Sequence, residues 1–279
     1  MTIEQLLDQM KTEMKYEDIN LPQAINDIGT NALISVLLEN VGNTNSLLRE
    51  SVLEQLCRLF SDKLINQEQA LNIFETCLGD KHLFSGIGGK EENSVFARSF
   101  SALIIAHYID GGLVPKDAFE DVLNIAIEYM QQETDRRGYV MGCGWADAIG
   151  HGADLLATIA AHEHLSLEHS ERLLDCVKMH ITANCAYTHG EEGRLAAVVL
   201  PLLDKGMDDH MLFSWLDSLV PRVTTHVHVD ESYSAVRVLI NIEYFLTALC
   251  FKLKPEKAAL AEGIRQFSSK IWGKAFRGE

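Results

Sequence analysis

Asp147, His151 and Asp154 are the residues whose types and spacing point most directly to chemistry. On a helix running from about Gly144 to Ala161, with about 100° per residue, Trp145, Ile149, Ala153, Leu156 and Ala160 share one broad face. Asp147, His151, Asp154 and Thr158 then fall within about a 60° strip on the far side. An Asp–His–Asp cluster can orient a ligand, hold a metal or act as a base. The strip carries short side chains flanked by Ala and Gly, where a solvated helix carries Lys, Glu and Gln, and that suits a helix lining a concave surface. The structural alternative pairs Asp154 or Asp147 with an arginine of the neighbouring helix pair, such as Arg98, while His151 bonds a backbone carbonyl. The residues leave both readings open.

Other constellations are weaker. Arg98, with Ser94 and Ser101, forms a similar polar strip, and Arg237 with Asn241 forms another. Glu191 and Arg194, spaced i,i+3 at a helix start, read as a local ion pair. With Arg98, Trp145, Asp147, His151 and Asp154, they complete the candidate ligand-binding set, one polar ladder if the second helix of each pair faces inward. In an extended strand His226, His228 and Asp230 would share a face as zinc ligands can. That pattern partly echoes the metallo-β-lactamase motif, but Glu231 replaces its final histidine, and a loop between two helices is the simpler identity. His162, His164 and His169 sit where one helix closes and the next opens, as the helix dipole favours. No P-loop, nucleophile elbow, G-x-G-x-x-G or H-E-x-x-H motif is present, so no metal and no cofactor is expected.

The elements that must position these groups are helices. Apolar residues recur at three- and four-residue spacing, with little alternation of period two. Helix starts recur at Asn66, Pro115, Ser166, Asp208 and Pro255, each followed by an acid in the first turn, as capping and the helix dipole favour. Their separation of about 42–51 residues is close to the period of two-helix HEAT-type repeats, roughly 40–47 residues. Second helices fit at about 94–110, 143–162, 190–205 and 231–252, and N-terminal helices near 3–14, 30–41 and 46–61. The expected fold is all-α, with stacked antiparallel helix pairs in a HEAT-like solenoid. More than about 60% helix is expected, against roughly one-third in ordinary globular proteins. No Pro/Gly/Ser-rich linker divides residues 1–279, which read as a single helical-repeat domain. The stretch from Ser85 to Asn93 reads as a loop long enough to be mobile.

Composition narrows the function classes. Of 279 residues, 40 are acidic and 24 basic, for a formal charge of −16. Such a surface repels phosphate backbones, so a nucleic-acid partner is not expected. The longest unbroken apolar run, Leu195 to Leu203, is under half of the roughly 20 residues needed to span a bilayer, so no membrane partner is expected either. Met1 to Asp8 has no basic and then apolar leader, and the six cysteines form no C-x-x-C pair. A reduced, cytoplasmic setting follows as the expectation.

The run Asp135-Arg136-Arg137-Gly138-Tyr139-Val140, followed by Gly144-Trp145-Ala146-Asp147-Ala148-Ile149-Gly150-His151-Gly152-Ala153-Asp154, resembles the hallmark of a bacterial family known as domain of unknown function 2785. Val95–Ser101, Glu39–Gly42, Leu48–Glu50 and Glu191–Leu195 support the resemblance. Cys143 stands where that family's pattern has lysine, and Asp147 where it has histidine. The resemblance implies a helical fold and a bacterial cytoplasmic protein, and brings no reaction with it. The reading that follows is a non-catalytic repeat protein whose concave face binds a peptide, a protein partner or a small molecule. The alternative is a hydrolytic enzyme using Asp147, His151 and Asp154, possibly metal-assisted, with Arg98 as an anion clamp.

Overall fold

The computed structural model describes residues 1–12, 19–89, 92–220 and 229–277, with side chains in the last stretch described from 233 to 271. Among the described residues about 70% are helical and the strand content is one short hairpin. It divides into two compact units, Met1–Leu155 and Leu156–Glu279.

The first unit holds α1 (Ile3–Met10), α2 (Leu21–Ile28), α3 (Thr30–Glu39), α4 (Ser46–Ser61), α5 (Gln67–Leu78), α6 (Ser94–Asp110) and α7 (Phe119–Gln132). It ends in the hairpin of β1 (Tyr139–Val140) and β2 (Gly144–Trp145) and the first turns of α8 (Ala148–Ala161). α6 is the central element, packed on both α4 and α5, with Val95, Phe96, Ala102, Ile104 and Ile105 buried. Caps fall where short polar residues predict them: Asn45 accepts from the amide of Leu48, and Asn66 forms a capping box with Gln69. α2 is an element that periodicity did not indicate. It is only 8 residues long, and its local signal is the Asn20 cap with a proline in its first turn.

One expectation fails in this unit. The helix expected from Gly144 begins only at Ala148, and Trp145 lies on a strand opposite Tyr139. Gly142 (φ 81°), Gly144 (φ 81°) and Asp147 (φ 44°) are left-handed, a conformation that cannot continue a right-handed helix. The carbonyls of Cys143 and Trp145 are held instead by Arg49. The stretch expected as a loop from Ser85 to Asn93 is, through Gly89, a run of tight turns, with the Ser85 and Gly86 carbonyls accepting from Arg98, while Lys90 and Glu91 lie outside the described residues.

The second unit holds the rest of α8, then α9 (Ser170–Ile181), α10 (Glu191–Asp204), α11 (Asp209–Leu219), α12 (Val229–Lys252) and α13 (Ala258–Arg277). The starts expected at Ser166 and Pro255 open as single 3₁₀ turns, Leu167–His169 and Pro255–Lys257, before α9 and α13. α12 packs on α10, α13 and α9. Its 20 residues Tyr233–Lys252 are long and apolar enough to cross a membrane by length and composition. Counting unbroken apolar runs overlooks this helix, because Arg237 and Glu243 interrupt it. Ile242, Phe245, Leu246 and Leu249 are buried within the unit, as in the core helix of a folded domain.

Candidate functional site

The hallmark segment is built around two buried arginines that helical register places on apolar faces. On α6, Arg98 follows Val95 and precedes Ala102 and Ile105 at helical spacing, and it is 1% exposed. Its Nε donates to Glu133 Oε2 at 2.7 Å and its Nη2 to Glu133 Oε1 at 3.1 Å, a bidentate pair. Its Nη1 donates to the Ser85 carbonyl and to Ser94 Oγ. Glu133, the C-cap of α7, also accepts from the amide of Asp135 at 2.8 Å. Asp135 in turn pairs with Arg137, whose guanidinium donates to the Glu92 carbonyl. The acids and arginines of residues 133–137 thus brace the approach to the hairpin.

On α4, Arg49 shares a face with Val52 and Leu56 and is fully buried. It donates to the carbonyls of Asn43 (2.6 Å), Cys143 (2.7 Å) and Trp145 (3.0 Å). Its guanidinium carbon lies 4.1 Å from the ring centre of Phe96 and 4.8 Å from that of Phe100. Gly144 is required here, since a Cβ would stand 2.6 Å from Ser46 Cβ. The inner side of the hairpin, Val140 and Cys143, packs on Val95, Phe96, Ala146 and Ala148. The outer side leaves Tyr139 47%, Met141 87% and Trp145 42% exposed, with the Tyr139 and Trp145 rings edge to face at 5.2 Å.

Asp147 and His151 meet as the sequence spacing implies, with Nε2 3.7 Å from Asp147 Oδ2. The partner that sequence reasoning missed is Ser99 of α6. Its hydroxyl lies 2.6 Å from His151 Nδ1 and donates to the Ala146 carbonyl. With the single hydroxyl proton on that carbonyl, the ring Nδ1–H donates to Oγ, leaving Nε2 towards Asp147. Ser99 is fully buried, Asp147 is 6% and His151 7% exposed. The Asp147 carboxylate sits at the N-terminus of α8, where the helix dipole favours an anion. It lies so close to Gly150 that a Cβ there would be 2.5 Å from Oδ1, and a Cβ on Gly152 would be 2.2 Å from Met130 Sδ. Close packing accounts for glycine on both sides of His151.

Asp154 departs from expectation. The structural alternative offers Asp154 or Asp147 as the acid that meets Arg98. Asp154 is half-buried, Asp147 and His151 are buried, and Arg98 is taken by Glu133, whose carboxylate reaches two of its nitrogens at once. Asn241, expected on the same inward ladder as Arg98, is 1% exposed and donates to the carbonyls of Ala183 and Cys185 within the second unit.

Glu191 and Arg194 lie in the second unit, at the start of α10. Gly190 (φ 86°) turns the chain so that Glu191 faces back and accepts from the amide of His189 at 2.9 Å, rather than making the expected pair with Arg194. Glu192 beside it is buried, and burial, with the charge of Glu191 adding to it, raises its pKa. Folding therefore favours its neutral form. The cost of the buried carboxylate is present above the raised pKa and disappears as pH falls below the ordinary value of 4.5. Glu192→Gln is expected to melt above the parent at pH 7, and thermal melts should show the gap closing towards pH 4.5. A Glu192→Gln variant that is less stable at pH 7 would contradict this.

His226 and His228, and the side chain of Asp230, lie outside the described residues. Among the described residues no three His, Cys, Asp or Glu side chains gather as a metal site requires. No curated protein and no solved structure shows significant similarity to the chain. A family model described as protein of unknown function (DUF2785) matches residues 83–251, which span α6, both hairpin strands, Ser99, His151 and Glu191. On that match, which covers more than half its length, the chain belongs to the DUF2785 family.

Proposed function

We propose that this chain is a non-catalytic binding protein that presents Tyr139, Met141 and Trp145 to a protein or peptide partner. The carrying observation is the hairpin itself. Three large apolar side chains stand exposed on a backbone that Arg49 fixes from beneath. A rigid loop offering aromatic side chains loses little entropy on binding, and aromatic and Met side chains are the residues enriched at interface cores.

The hydrolytic alternative draws less support. Arg98, its anion clamp, has its guanidinium buried on Glu133, and Ser99 donates its hydroxyl to a carbonyl in a closed interior. The proposal retains the helical-repeat organisation read from the spacing of helix starts, a cytoplasmic setting, and no nucleic-acid partner at a charge of −16.

A photo-crosslinking residue placed at Met141 tests the reading in cells that express the chain. A discrete adduct is expected there, lost on Trp145→Ser and absent when the same residue is placed at exposed Leu71. Absence of any discrete adduct, or an adduct indifferent to Trp145→Ser, would overturn it. Trp145→Ser should lower the melting temperature by no more than a few degrees, since it removes a partly exposed ring and an edge-to-face contact worth roughly 0.5–1.5 kcal/mol.

A further inference from the structure

A second feature of the first unit is independent of the hairpin. Between α3 and α5 runs a groove of ≈ 630 Å³. Its floor is apolar, made by Ile34 and Leu38 of α3 and Ala97 of α6. The loop after α3 approaches α6 so closely that a Cβ on Gly42 would stand 2.7 Å from that of Ala97.

The walls are polar and repeat. α3 offers Asn31 and Ser35, and α5 offers Asn72 and Thr76, each pair spaced i,i+4 and so about 6 Å apart along its helix. Among the described residues Ser35, Asn72 and Thr76 make no side-chain hydrogen bond within the chain. The Asn31 carbonyl oxygen accepts from Gln69 at 2.7 Å, which orients the amide and leaves its N–H groups to donate.

The lining of this groove has no net formal charge, although the chain carries −16. It holds one acid, Glu39, and one base, Lys81. His82 is held by the Leu38 carbonyl at 3.2 Å, and burial lowers its pKa, so it is neutral at pH 7. Among the described residues no Phe, Tyr or Trp lines the walls, and the one ring there, the His82 imidazole, is tied to the Leu38 carbonyl, so a sugar face finds no broad stacking platform.

We infer that this groove binds an extended peptide segment of uncharged character through its main chain. An amide side chain both donates and accepts, which is what each peptide group requires. An extended chain repeats its outward groups every two residues, about 6.8 Å, close to the wall spacing. The 10 residues of α3 cover about 15 Å, room for four or five extended residues.

The test pans a phage-displayed library of random 12-residue peptides on the full chain and measures each recovered peptide by titration. Recovered peptides are expected to bind Asn31→Ala/Asn72→Ala at least tenfold more weakly. Ser35→Lys, which fills the groove and leaves both amides in place, should cause the same loss. N-methylation of alternate peptide amides should also weaken binding, and Trp145→Ser should leave it unchanged, which separates this groove from the hairpin. The inference is overturned if no peptide is enriched, if recovered peptides ignore both groove variants or N-methylation, or if Trp145→Ser abolishes binding. Binding of arrayed oligosaccharides lost in the double variant would equally overturn the peptide class.

Discussion

Glu133→Ala is expected to lower the melting temperature by about 6–20 °C, the largest effect of any single acidic replacement in the first unit. The substitution leaves the Arg98 guanidinium buried with its bidentate partner gone. Breaking a buried pair from one side costs roughly 3–5 kcal/mol, because the remaining charge has neither water nor counter-ion. Each kcal/mol shifts the midpoint by about 2–4 °C in a domain of 150–250 residues. Glu133 also orders the turn into the hallmark segment through the amide of Asp135, so hydrogen exchange should quicken over 133–137. Arg98→Met combined with Glu133→Leu should recover much of the loss, since apolar replacement of both partners removes the stranded charge. A drop below about 3 °C for Glu133→Ala alone would mean that water reaches Arg98 and the pair is not the brace described here.

The same pair shows where sequence reasoning stops. Helices such as α4 and α6 were legible to their ends, because apolar spacing and caps are local signals that the final fold respects. Asp147 and His151 were legible as a pair for the same reason, four residues apart on one chain segment. Ser99 was not, being 52 residues from His151, and Glu133 was not, being 35 residues from Arg98. Nothing local distinguishes Glu133 from Asp154 as the acid that meets Arg98. The choice depends on how α7 ends against α6. Mistaking the hairpin for a helix has a related cause. Trp145 and Ile149 match a helical face in period, and the departure from helix is imposed by left-handed backbone at three positions together with an arginine 94 residues away. Even so, Arg49 was visible as an arginine in register with Val52 and Leu56 on an apolar face, a pattern that deserved a burial assignment.

Arg49→Met is expected to unfasten the hairpin while leaving the helices folded. Three carbonyls, those of Asn43, Cys143 and Trp145, lose their donor at once, and two aromatic faces lose the cation between them. A buried polar group left without a partner costs about 1–3 kcal/mol. Relief of a desolvated guanidinium offsets part of this, for a net loss of roughly 3 kcal/mol. No carboxylate is bonded to Arg49 among the described residues, so the variant strands carbonyls rather than a charge, and the damage should be local. Hydrogen exchange should rise most over 139–147, with Trp145 fluorescence shifting as its strand loosens. Arg49→Lys should fare little better, because one ammonium cannot reach three carbonyls and cover two rings. Burial draws the Arg49 pKa down to about 10, so the guanidinium stays charged well beyond neutrality. Its desolvation cost is constant below that value and is relieved only as pH rises above about 10 towards the ordinary guanidinium value, a range in which the unfolded chain still holds the proton. The stability gap between parent and Arg49→Met should therefore stay level from pH 5 to 9 as far as this group is concerned. If the hairpin binds a partner, the Met141 crosslink should vanish in Arg49→Met although Tyr139, Met141 and Trp145 are all present, because the arginine contributes the geometry and the exposed side chains the contact. A crosslink that survives Arg49→Met would show that the partner reads those side chains without needing their backbone held.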